Sequence, residues 1–511
     1  MLLLTCFVTT RAFSRRLPKW LEHAVIYQIY PASFQDSNGD GIGDLKGIIS
    51  RLDYINQIGC NTIWLNPCFS SDFHDGGYDV IDYYRIAPRY GSNDDMRHLI
   101  KETHRRNMKI ILDLVAGHTS TSCPWFKYSQ KKEVNAYSKR YIWTDDFSVC
   151  PPKFVKDTTT ERQGCYMKNY FDFQPALNYG YGQPDAGYPW EEPLSAPGPT
   201  ATRLELMRIM DFWMDMGCDG FRIDMAGSLV KNDPDLKGTK LLWNEVRTHF
   251  QNRYPEGVLI AEWGYPDKAK EIGFMADFLF QYGRGGYREL FFNETGVYRR
   301  DTCYFDRQGL GSPDRFIESL LNSIKAMGND ALLSVPTGNH DIQRLNCGTR
   351  SDDDDIKTAL TFILTMPSIP CIYYGDEIGM RYMEGLPDKE GSVNKAGNRA
   401  GSRTPMQWDC SPKGGFSTAE STLFYLPLNS DHYTRNAALQ LCDSSSILNH
   451  VKWLLSLRRK HKALSTKGKI RFLPNLNGNK YPLRYIREHA RERVLITINP
   501  ISPQTTNIKF L

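Results

Sequence analysis

An arginine and an aspartate lie two residues apart at the end of a short apolar run. Gly220–Ile223 contains Arg222 and is followed directly by Asp224. On a strand, residues i and i+2 point to the same face, so the guanidinium and the carboxylate are expected side by side. Such an ion pair holds a carboxylate ionised and aimed, as a nucleophile requires. Taken alone, the pair is equally explained as an ordinary ion pair.

Three further apolar runs lead into imidazole or acidic residues. They are residues 109–115 with His118, Val258–Ala261 with Glu262, and residues 331–335 with His340 and Asp341. Short apolar runs are typical of strands that are buried on both faces. The recurrence of chemically active residues at four strand ends favours a shared site over four independent ion pairs.

Helical patterns separate these strands and indicate a parallel sheet. They cover residues 200–216, 240–250 and Asp314–Met327. Alternating strands and helices in a chain of 511 residues predict an α/β fold, namely a TIM (β/α)8 barrel with additional domains. The eight predicted strands are residues 24–30, 60–65, 109–115, 220–223, 258–261, 277–280, 332–335 and 371–374. Catalytic groups of such barrels lie at the C-terminal ends of the strands.

The alternation of strands and helices stops after the third strand. Residues 119–199 are rich in Tyr, Pro, Gly, Asp and Asn, and they predict a loop-rich inserted domain that overhangs the active face, with a β-like piece at residues 140–144. The barrel is predicted to comprise residues 20–118 and 200–463. It includes a helix at residues 44–55, a long loop at 380–443 and a last helix at Ile447–Lys460. Residues 464–511 predict a small C-terminal antiparallel β domain.

Composition excludes several classes of partner. The 63 basic and 58 acidic residues give a net charge of +5 and are dispersed, so no basic stripe indicates nucleic acid. There is no run of about 20 apolar residues that would predict a membrane-spanning helix. The 28 Tyr, 25 Phe and 10 Trp supply flat rings of the kind on which sugars stack. Monomer and dimer both remain open.

The twelve cysteines and the N-terminus bear on location. The sequence contains no CxxC pair of the kind that predicts a metal site. The overall pattern of cysteines favours a reducing compartment. Cys123, Cys150 and Cys165 lie in the loop-rich region, where a disulfide is an open alternative. Residues 1–19 begin with an apolar stretch, but their basic residues follow it, whereas a secretory signal carries its charge in front. We therefore expect a cytoplasmic location, with secretion as the alternative if this segment is a signal peptide.

Asp224, Glu262 and Asp341 end three strands of the predicted barrel and are expected to converge at its active face. Carboxyls that share a cleft repel each other, so their pKa values must separate. Glycoside hydrolysis needs such a separation, because one carboxylate attacks while a protonated one donates. The apolar neighbours of Glu262 favour its protonated form, and His118 and His340 are suited to donate hydrogen bonds to sugar hydroxyls.

Several longer motifs carry a family resemblance. They are VIYQIYPASFQDSNGDGIGDLKGI at residues 25–48, DGGYDVIDYY at 75–84, IYYGDEIGM at 372–380, RTPMQWD at 403–409 and the four strand-end blocks. With these motifs, the chain from about residue 20 to its end resembles the α-amylase family of glycoside hydrolases (glycoside hydrolase family 13), in its α-glucosidase and oligo-1,6-glucosidase branch.

The resemblance implies a role for each matching residue. Asp224 corresponds to the nucleophile, Glu262 to the acid/base and Asp341 to the carboxylate that stabilises the transition state. The residues implied to bind sugar or hold the nucleophile at the −1 subsite are Arg222, His118, His340 and Tyr78, and Asp113 corresponds to the Asp that opens the block at the third strand. Asp75 and Arg399 correspond to the pair that grips the terminal glucose in exo-acting members, which favours an α-glucosidase over an endo-acting α-amylase.

The resemblance also implies a structural Ca²⁺, with Mg²⁺ as an alternative and no organic cofactor. Its ligands would be Asp36, Asn38, Asp40, the Ile42 carbonyl and Asp44, whose oxygens suit a hard cation. The loop is not an EF-hand, because its twelfth position is Gly47. The alternative is an Asx-rich turn without metal.

The expected activity is retaining hydrolysis of terminal α-linked glucose from short α-glucosides, with two catalytic carboxyls about 5–5.5 Å apart. Two alternatives remain. The same site serves a transglucosidase or a trehalose- or sucrose-type isomerase if a sugar replaces water as acceptor, and non-catalytic transporter subunits resemble the family too. Met225, beside the nucleophile, departs from the smaller residues that help to set linkage preference in glucosidases.

Overall fold

The computed structural model describes residues 17–292, 303–394, 397–474 and 480–511. Residues 1–16 of the predicted N-terminal segment therefore lie outside the described residues. Eight parallel strands close into a barrel, in which the first strand pairs with both the second and the eighth. The TIM-barrel prediction is confirmed.

The barrel strands agree with the predicted runs to within one or two residues at most ends. They are Ile26–Ile29, Thr62–Leu65, Lys109–Leu114, Gly220–Ile223, Val258–Ala261, Ala276–Phe278, Leu332–Pro336 and Ile369–Tyr373. Nearly all their residues are buried, as expected for strands that face the barrel interior on one side and helices on the other. Their C-terminal ends define the active face.

Helices surround the barrel. They are Leu45–Ser50, Leu52–Ile58, Asn93–Arg105, Pro124–Ser129, Pro197–Met216, Lys237–Arg253, Pro266–Ile272, Tyr287–Phe291, Asp314–Met327, Asp353–Thr365, Ala437–Cys442 and Ile447–Lys460. The prediction of a single helix at residues 44–55 is wrong in one respect. Arg51 leaves helical geometry (φ −110°, ψ 5°) and divides the segment into two helices. The Arg51 side chain turns instead to Gln35 and Trp408.

The inserted segment between the third and fourth barrel strands contains little regular structure. Its paired strands are Phe154–Lys156 and Cys165–Met167, whereas the β-like piece predicted at residues 140–144 forms only isolated bridges. Cys150 and Cys165 are joined by a disulfide, and Cys123 is buried and free.

The C-terminal sheet is a four-stranded antiparallel meander, as predicted. Its strands are Lys469–Phe472, Leu483–His489, Glu492–Ile498 and Asn507–Phe510. Two further strand pairs lie beside the barrel: Phe69–Ser71 with Val80–Ile86, and Val393–Asn394 with Gly397–Asn398. Within the described part of the chain, no helix combines the length and the apolar character needed to cross a membrane.

Candidate active site

Arg222 lies at the centre of the site and contacts three carboxylates. Its Nη1 donates to Asp113 Oδ1 at 2.7 Å and to Asp224 Oδ1 at 2.9 Å, while its Nη2 lies 2.7 Å from Glu262 Oε1. The guanidinium is 2% exposed. Because Nη1 of this guanidinium binds Asp224 and Nη2 lies beside Glu262, these two carboxyls are close together in the site.

One positive charge shared by three buried carboxylates does not keep all of them ionised. Burial raises the pKa of Asp224 to about 6 and that of Asp113 to about 6, with Arg222 opposing the shift in both cases. Burial raises the pKa of Glu262 further, to about 8. At neutral pH, Asp224 is thus mostly ionised and Glu262 mostly protonated. The contact between Arg222 and Asp224 agrees with the sequence spacing, and the contacts to Asp113 and Glu262 are additional.

Glu262 is positioned by a loop that Asp277 holds. The Asp277 carboxylate, on the sixth barrel strand, accepts the backbone N–H groups of Trp263, Gly264 and Tyr265 at 2.9–3.2 Å. These are the three residues that follow Glu262. Glu262 itself accepts the Met225 N–H at Oε2 (3.0 Å) and the Tyr282 hydroxyl at Oε1. The strand end thus fixes the direction in which this carboxyl points.

Asp341 has a different electrostatic environment. Its Oδ1 accepts from Arg399 at 2.9 Å and from Arg403 at 3.3 Å, and its Oδ2 lies 3.3 Å from His340 Nε2. These neighbours hold the pKa of Asp341 well below its usual range despite burial. Asp341 is therefore ionised at every pH at which the site would operate.

Arg399 connects two walls of the site. Besides Asp341 it donates to Asp75 Oδ1 at 2.8 Å, and Asp75 Oδ2 accepts from Gln174 of the inserted segment at 2.9 Å. Asp75 is 6% exposed. The arrangement joins the loop after the second barrel strand, the inserted segment and the loop after the eighth strand at one side of the cleft.

His340 and Tyr78 form a stacked pair beside the carboxylates. Their rings are nearly parallel at a centroid distance of 5.3 Å. Amide nitrogens of Gln28 and Asn66 lie 3.1 and 3.2 Å from His340 Nδ1, and since these groups donate, the ring proton resides on Nε2, the nitrogen nearest Asp341. Burial lowers the pKa of His340 to about 3, so the ring is a neutral donor.

His118 occupies the opposite wall. Its Nε2 donates to the Tyr78 carbonyl at 3.0 Å, and its Nδ1 accepts from Asn169 at 2.9 Å. Burial lowers the pKa of His118 to about 4. The same Asn169 amide approaches the Met225 sulfur at 3.6 Å. Met225 has a left-handed backbone (φ 48°), which aims its N–H at Glu262 and its side chain into the cleft.

These residues surround one pocket of about 420 Å³ at the active face. It is lined by Asp75, Tyr78, His118, Tyr170, Gln174, Asp224, Met225, Gly227, Ser228, Glu262, Trp263, Gln281, Tyr282, Asp341 and Arg399. Of the nine residues expected to act in catalysis or substrate binding, the structure places seven directly on this pocket and puts Arg222 and His340 immediately behind it.

Comparison with known proteins supplies the family. Residues 28–467 match the model of the alpha amylase catalytic domain. The chain belongs to the α-amylase family. It is 31% identical to an oligo-1,6-glucosidase of Bacillus sp. (strain F5), over 94% of this chain and 100% of that protein, and 30% identical to the trehalose synthase/amylase TreS of Mycolicibacterium smegmatis, over 94% of this chain and 83% of that protein.

Solved structures of α-amylase-family enzymes superpose on this chain. An inactive double mutant of MutB in complex with isomaltulose aligns with a TM-score of 0.77 at 25% identity, over 94% of this chain and 90% of that one. Bacillus licheniformis trehalose-6-phosphate hydrolase aligns with a TM-score of 0.77 at 26% identity, over the same shares. The chain is therefore an enzyme that acts on glycosides.

Some residues of this α-amylase-family site were not anticipated. Arg403 lies within a motif that carried the resemblance, although no role followed from that motif. Gln174 and Tyr170 lie in the inserted segment, where no periodic pattern exists. Trp263 and Tyr282 follow the fifth and sixth strands, and only their aromatic character at a strand end distinguished them. Short motifs at strand ends therefore identify the floor of the pocket but not its upper walls.

The loop of residues 36–44 satisfies its oxygen atoms internally. The Asp36 carboxylate accepts the N–H groups of Asn38, Gly39 and Gly41 and the hydroxyl of Ser417, so a cation at Asp36 would replace at least one of these donors. Asp44 caps the helix that begins at Leu45. Asn38 and Asp40 are exposed, and their side-chain oxygens each accept one backbone N–H. The donor set is all oxygen and suits a hard cation.

A second place in the described part of the chain brings possible metal ligands together: one ligand atom each of Asp72, His74 and Asp79 lies within 4.8 Å of the other two. There, Asp79 accepts the backbone N–H groups of His74 and Asp75 and the Ser71 hydroxyl. Its carboxylate thus serves the turn that carries Asp75 and Tyr78 into the pocket.

Proposed function

We propose that this protein is a retaining α-glucosidase that releases terminal α-linked glucose from short α-glucosides. The observation that supports this best is the bridge from Asp75 through Arg399 to Asp341. It ties together the loops after the second, seventh and eighth barrel strands at one side of the pocket, which the carboxyl groups of Asp224 and Glu262 also line. A pocket bounded in this way takes the end of a sugar chain rather than its middle.

The proposed reaction has two steps. Asp224, ionised, attacks the anomeric carbon while Glu262, protonated, donates its proton to the leaving oxygen. A covalent β-glucosyl intermediate forms. Glu262, now ionised, removes a proton from water, which releases α-glucose and restores both groups. Asp341 and His340 bind the sugar in this scheme, whereas His118 lines the pocket with its one N–H donated to the Tyr78 carbonyl.

Transfer of the glucosyl group to a sugar is the second candidate. Two observations favour it: relatives of similar identity are named trehalose synthase as well as oligo-1,6-glucosidase, and three aromatic rings, Tyr170, Trp263 and Tyr282, line the pocket. Aromatic surfaces that hold an acceptor and exclude water would turn the enzyme into a transglucosidase or a disaccharide isomerase.

Product analysis separates these two activities. Maltose, isomaltose, sucrose and trehalose are incubated separately with the enzyme, and the sugars are resolved by chromatography. Glucose released from maltose or isomaltose without new disaccharides supports hydrolysis. New disaccharides in excess over free glucose would replace the hydrolase proposal with a transferase or isomerase.

Asp224→Ala tests the assignment of the nucleophile. We expect a loss of kcat of at least about 10⁴-fold, because no other group is placed to attack. The exposed Asp235 (side chain 56% exposed) offers a matched control, and Asp235→Ala should retain wild-type kcat. Activity of Asp224→Ala near that of the wild type would refute the mechanism.

The calcium site belongs to the proposal as well. The ligands would be Asp36, Asn38, Asp40, the Ile42 carbonyl and Asp44, with Asp36 exchanging the Ser417 hydroxyl for the cation. The loop lies outside the pocket, so the cation would stabilise the fold and take no part in the reaction.

A further inference from the structure

Tyr282 contacts the carboxyl of Glu262. It follows the sixth barrel strand, and its hydroxyl donates a short hydrogen bond to Glu262 Oε1. The side chain lines the pocket, and its ring packs on Phe280 at a centroid distance of 4.2 Å. The tyrosine therefore contacts the proposed acid/base group at the wall of the pocket.

Two glycines fix this contact. Gly264, two residues after Glu262, and Gly283, directly after Tyr282, both have left-handed backbones (φ 73° and 79°). A Cβ on Gly283 would lie 2.0 Å from the Gly264 carbonyl oxygen, and one on Gly264 would lie 2.8 Å from the Tyr282 carbonyl oxygen. The Arg284 N–H donates to the Gly264 carbonyl at 2.8 Å. The two loops thus touch through their backbones, which leaves the tyrosine little freedom.

The chemistry of a hydroxyl suits a group that changes its protonation state. A tyrosine hydroxyl can donate to an oxygen of a carboxylate and equally to the carbonyl oxygen of a carboxylic acid. The proposed reaction takes Glu262 through both forms. We propose that Tyr282 is a positioning residue that holds the Glu262 carboxyl for both proton-transfer steps, donating to Oε1 throughout, so that the Glu262 proton stays free for the leaving oxygen.

This inference rests on the proposed function and adds a residue to it. The charged or titratable groups facing Glu262 are Arg222, Asp224, Asp113 and Asp341, besides Tyr282 itself. Arg222 Nη2 lies beside the same Oε1, and the Met225 N–H donates to Oε2. Among these described contacts of Glu262, Tyr282 contributes an uncharged hydroxyl.

Tyr282→Phe tests the role because it keeps the ring and its packing and removes only the hydroxyl. The hydroxyl stabilises ionised Glu262 and so lowers its pKa. Its loss should raise that pKa and move the basic limb of kcat/KM for an aryl α-glucoside upward by about 1 pH unit. We expect kcat to fall about tenfold. Tyr433→Phe, at an exposed tyrosine far along the chain, should change neither quantity.

Two additional measurements complete the test. Tyr282→Gln retains a donor, so its basic limb should lie within about half a unit of wild type; a limb shifted as far as that of the Phe variant would overturn the inference. The inference would also be overturned if the basic limb of Tyr282→Phe lay at the same pH as that of the wild type. The infrared carboxyl band of Glu262, identified as the band that Glu262→Gln removes, can be titrated in the wild type and in Tyr282→Phe to compare the pKa of Glu262 without turnover. A protein inactive on every α-glucoside would refute the proposed function while this titration still decides the role of Tyr282.

Discussion

At the scale of single residues, the pKa of each carboxyl in the site depends on how many carboxylates share the guanidinium group beside it. Arg222 is shared by Asp113, Asp224 and Glu262, so burial prevails and their pKa values rise. Asp341 contacts two guanidinium groups, those of Arg399 and Arg403, of which Arg399 is shared with Asp75, and the pKa of Asp341 falls. Glu262, whose pKa rises most of these carboxyls, is the group that we propose as proton donor.

The separation of these pKa values predicts a bell-shaped pH dependence of kcat/KM. Activity needs ionised Asp224 and protonated Glu262, whose pKa values are about 6 and about 8. Activity should therefore rise through about pH 6, reach its maximum near pH 7 and fall through about pH 8. The acidic limb belongs jointly to Asp224 and Asp113, which share Arg222.

The profile is measured with an aryl α-glucoside below its KM between pH 4 and 10. Glu262→Gln should lose the basic limb, because its amide does not titrate. Histidine titration offers no substitute explanation, since the pKa values of His118 and His340 are about 4 and about 3. An acidic limb centred below pH 4.5 would contradict the buried, shared-charge account of Asp224.

At the scale of elements, the loops after the fifth and sixth strands act as one unit. Asp277 binds three successive N–H groups of the loop after Glu262, and the Gly264–Gly283 contact joins that loop to the one carrying Tyr282. The carboxylate is fully buried; burial raises the pKa of Asp277 to about 7, and the hydrogen bonds from those N–H groups oppose this shift. Positioning of the acid/base is therefore a property of two adjacent strand ends.

Asp277→Asn is expected to weaken this unit. Its amide nitrogen cannot accept, so at least one of these N–H groups loses its partner, at a cost of about 1–3 kcal/mol in the free energy of unfolding. We expect a lower Tm together with a fall in kcat of about tenfold or more, as Glu262 leaves its productive position. Thermal unfolding and steady-state kinetics measure the two effects, with Asp330→Asn, at a half-exposed surface carboxylate, as control. A normal kcat at a lowered Tm would limit Asp277 to a structural role.

Strand ends were predictable from sequence because burial on both faces makes their apolar runs distinct. Asp224, Glu262 and Asp341 follow such runs and were recognised in this way. Asp277 begins a predicted strand, yet its role depends on which loop lies beside it. Likewise, Gln174 reaches Asp75 from 99 residues away, and no local pattern encodes such a contact. Contacts that the folded chain creates between loops were therefore beyond prediction, as was the division of the helix at Arg51.

At the scale of the whole molecule, distant segments complete the pocket. The residues of the Arg399–Asp75 bridge lie 324 positions apart in the chain. The loop of residues 36–44 packs against the segment that follows Arg399, so closely that a Cβ added at Gly41 would lie 2.3 Å from the Leu423 carbonyl oxygen. Ser417 of that segment donates to Asp36. A cation in the 36–44 loop would thus stabilise the same long segment that contributes Arg399.

Calcium is consequently expected to raise the stability of the whole chain. Binding to the folded state alone stabilises by about 2.7 kcal/mol at a free concentration 100 times Kd, which corresponds to a rise in Tm of several degrees. Calorimetry in CaCl₂ and in EDTA measures the difference, and MgCl₂ tests the alternative cation. Asp40→Ala removes an exposed ligand whose hydrogen bonds lie within the loop, so it should abolish the difference while leaving the Tm in EDTA nearly unchanged. Equal Tm values of the wild type in CaCl₂, MgCl₂ and EDTA would mean that the loop is an Asx-rich turn that needs no metal, because its own N–H groups already satisfy Asp36.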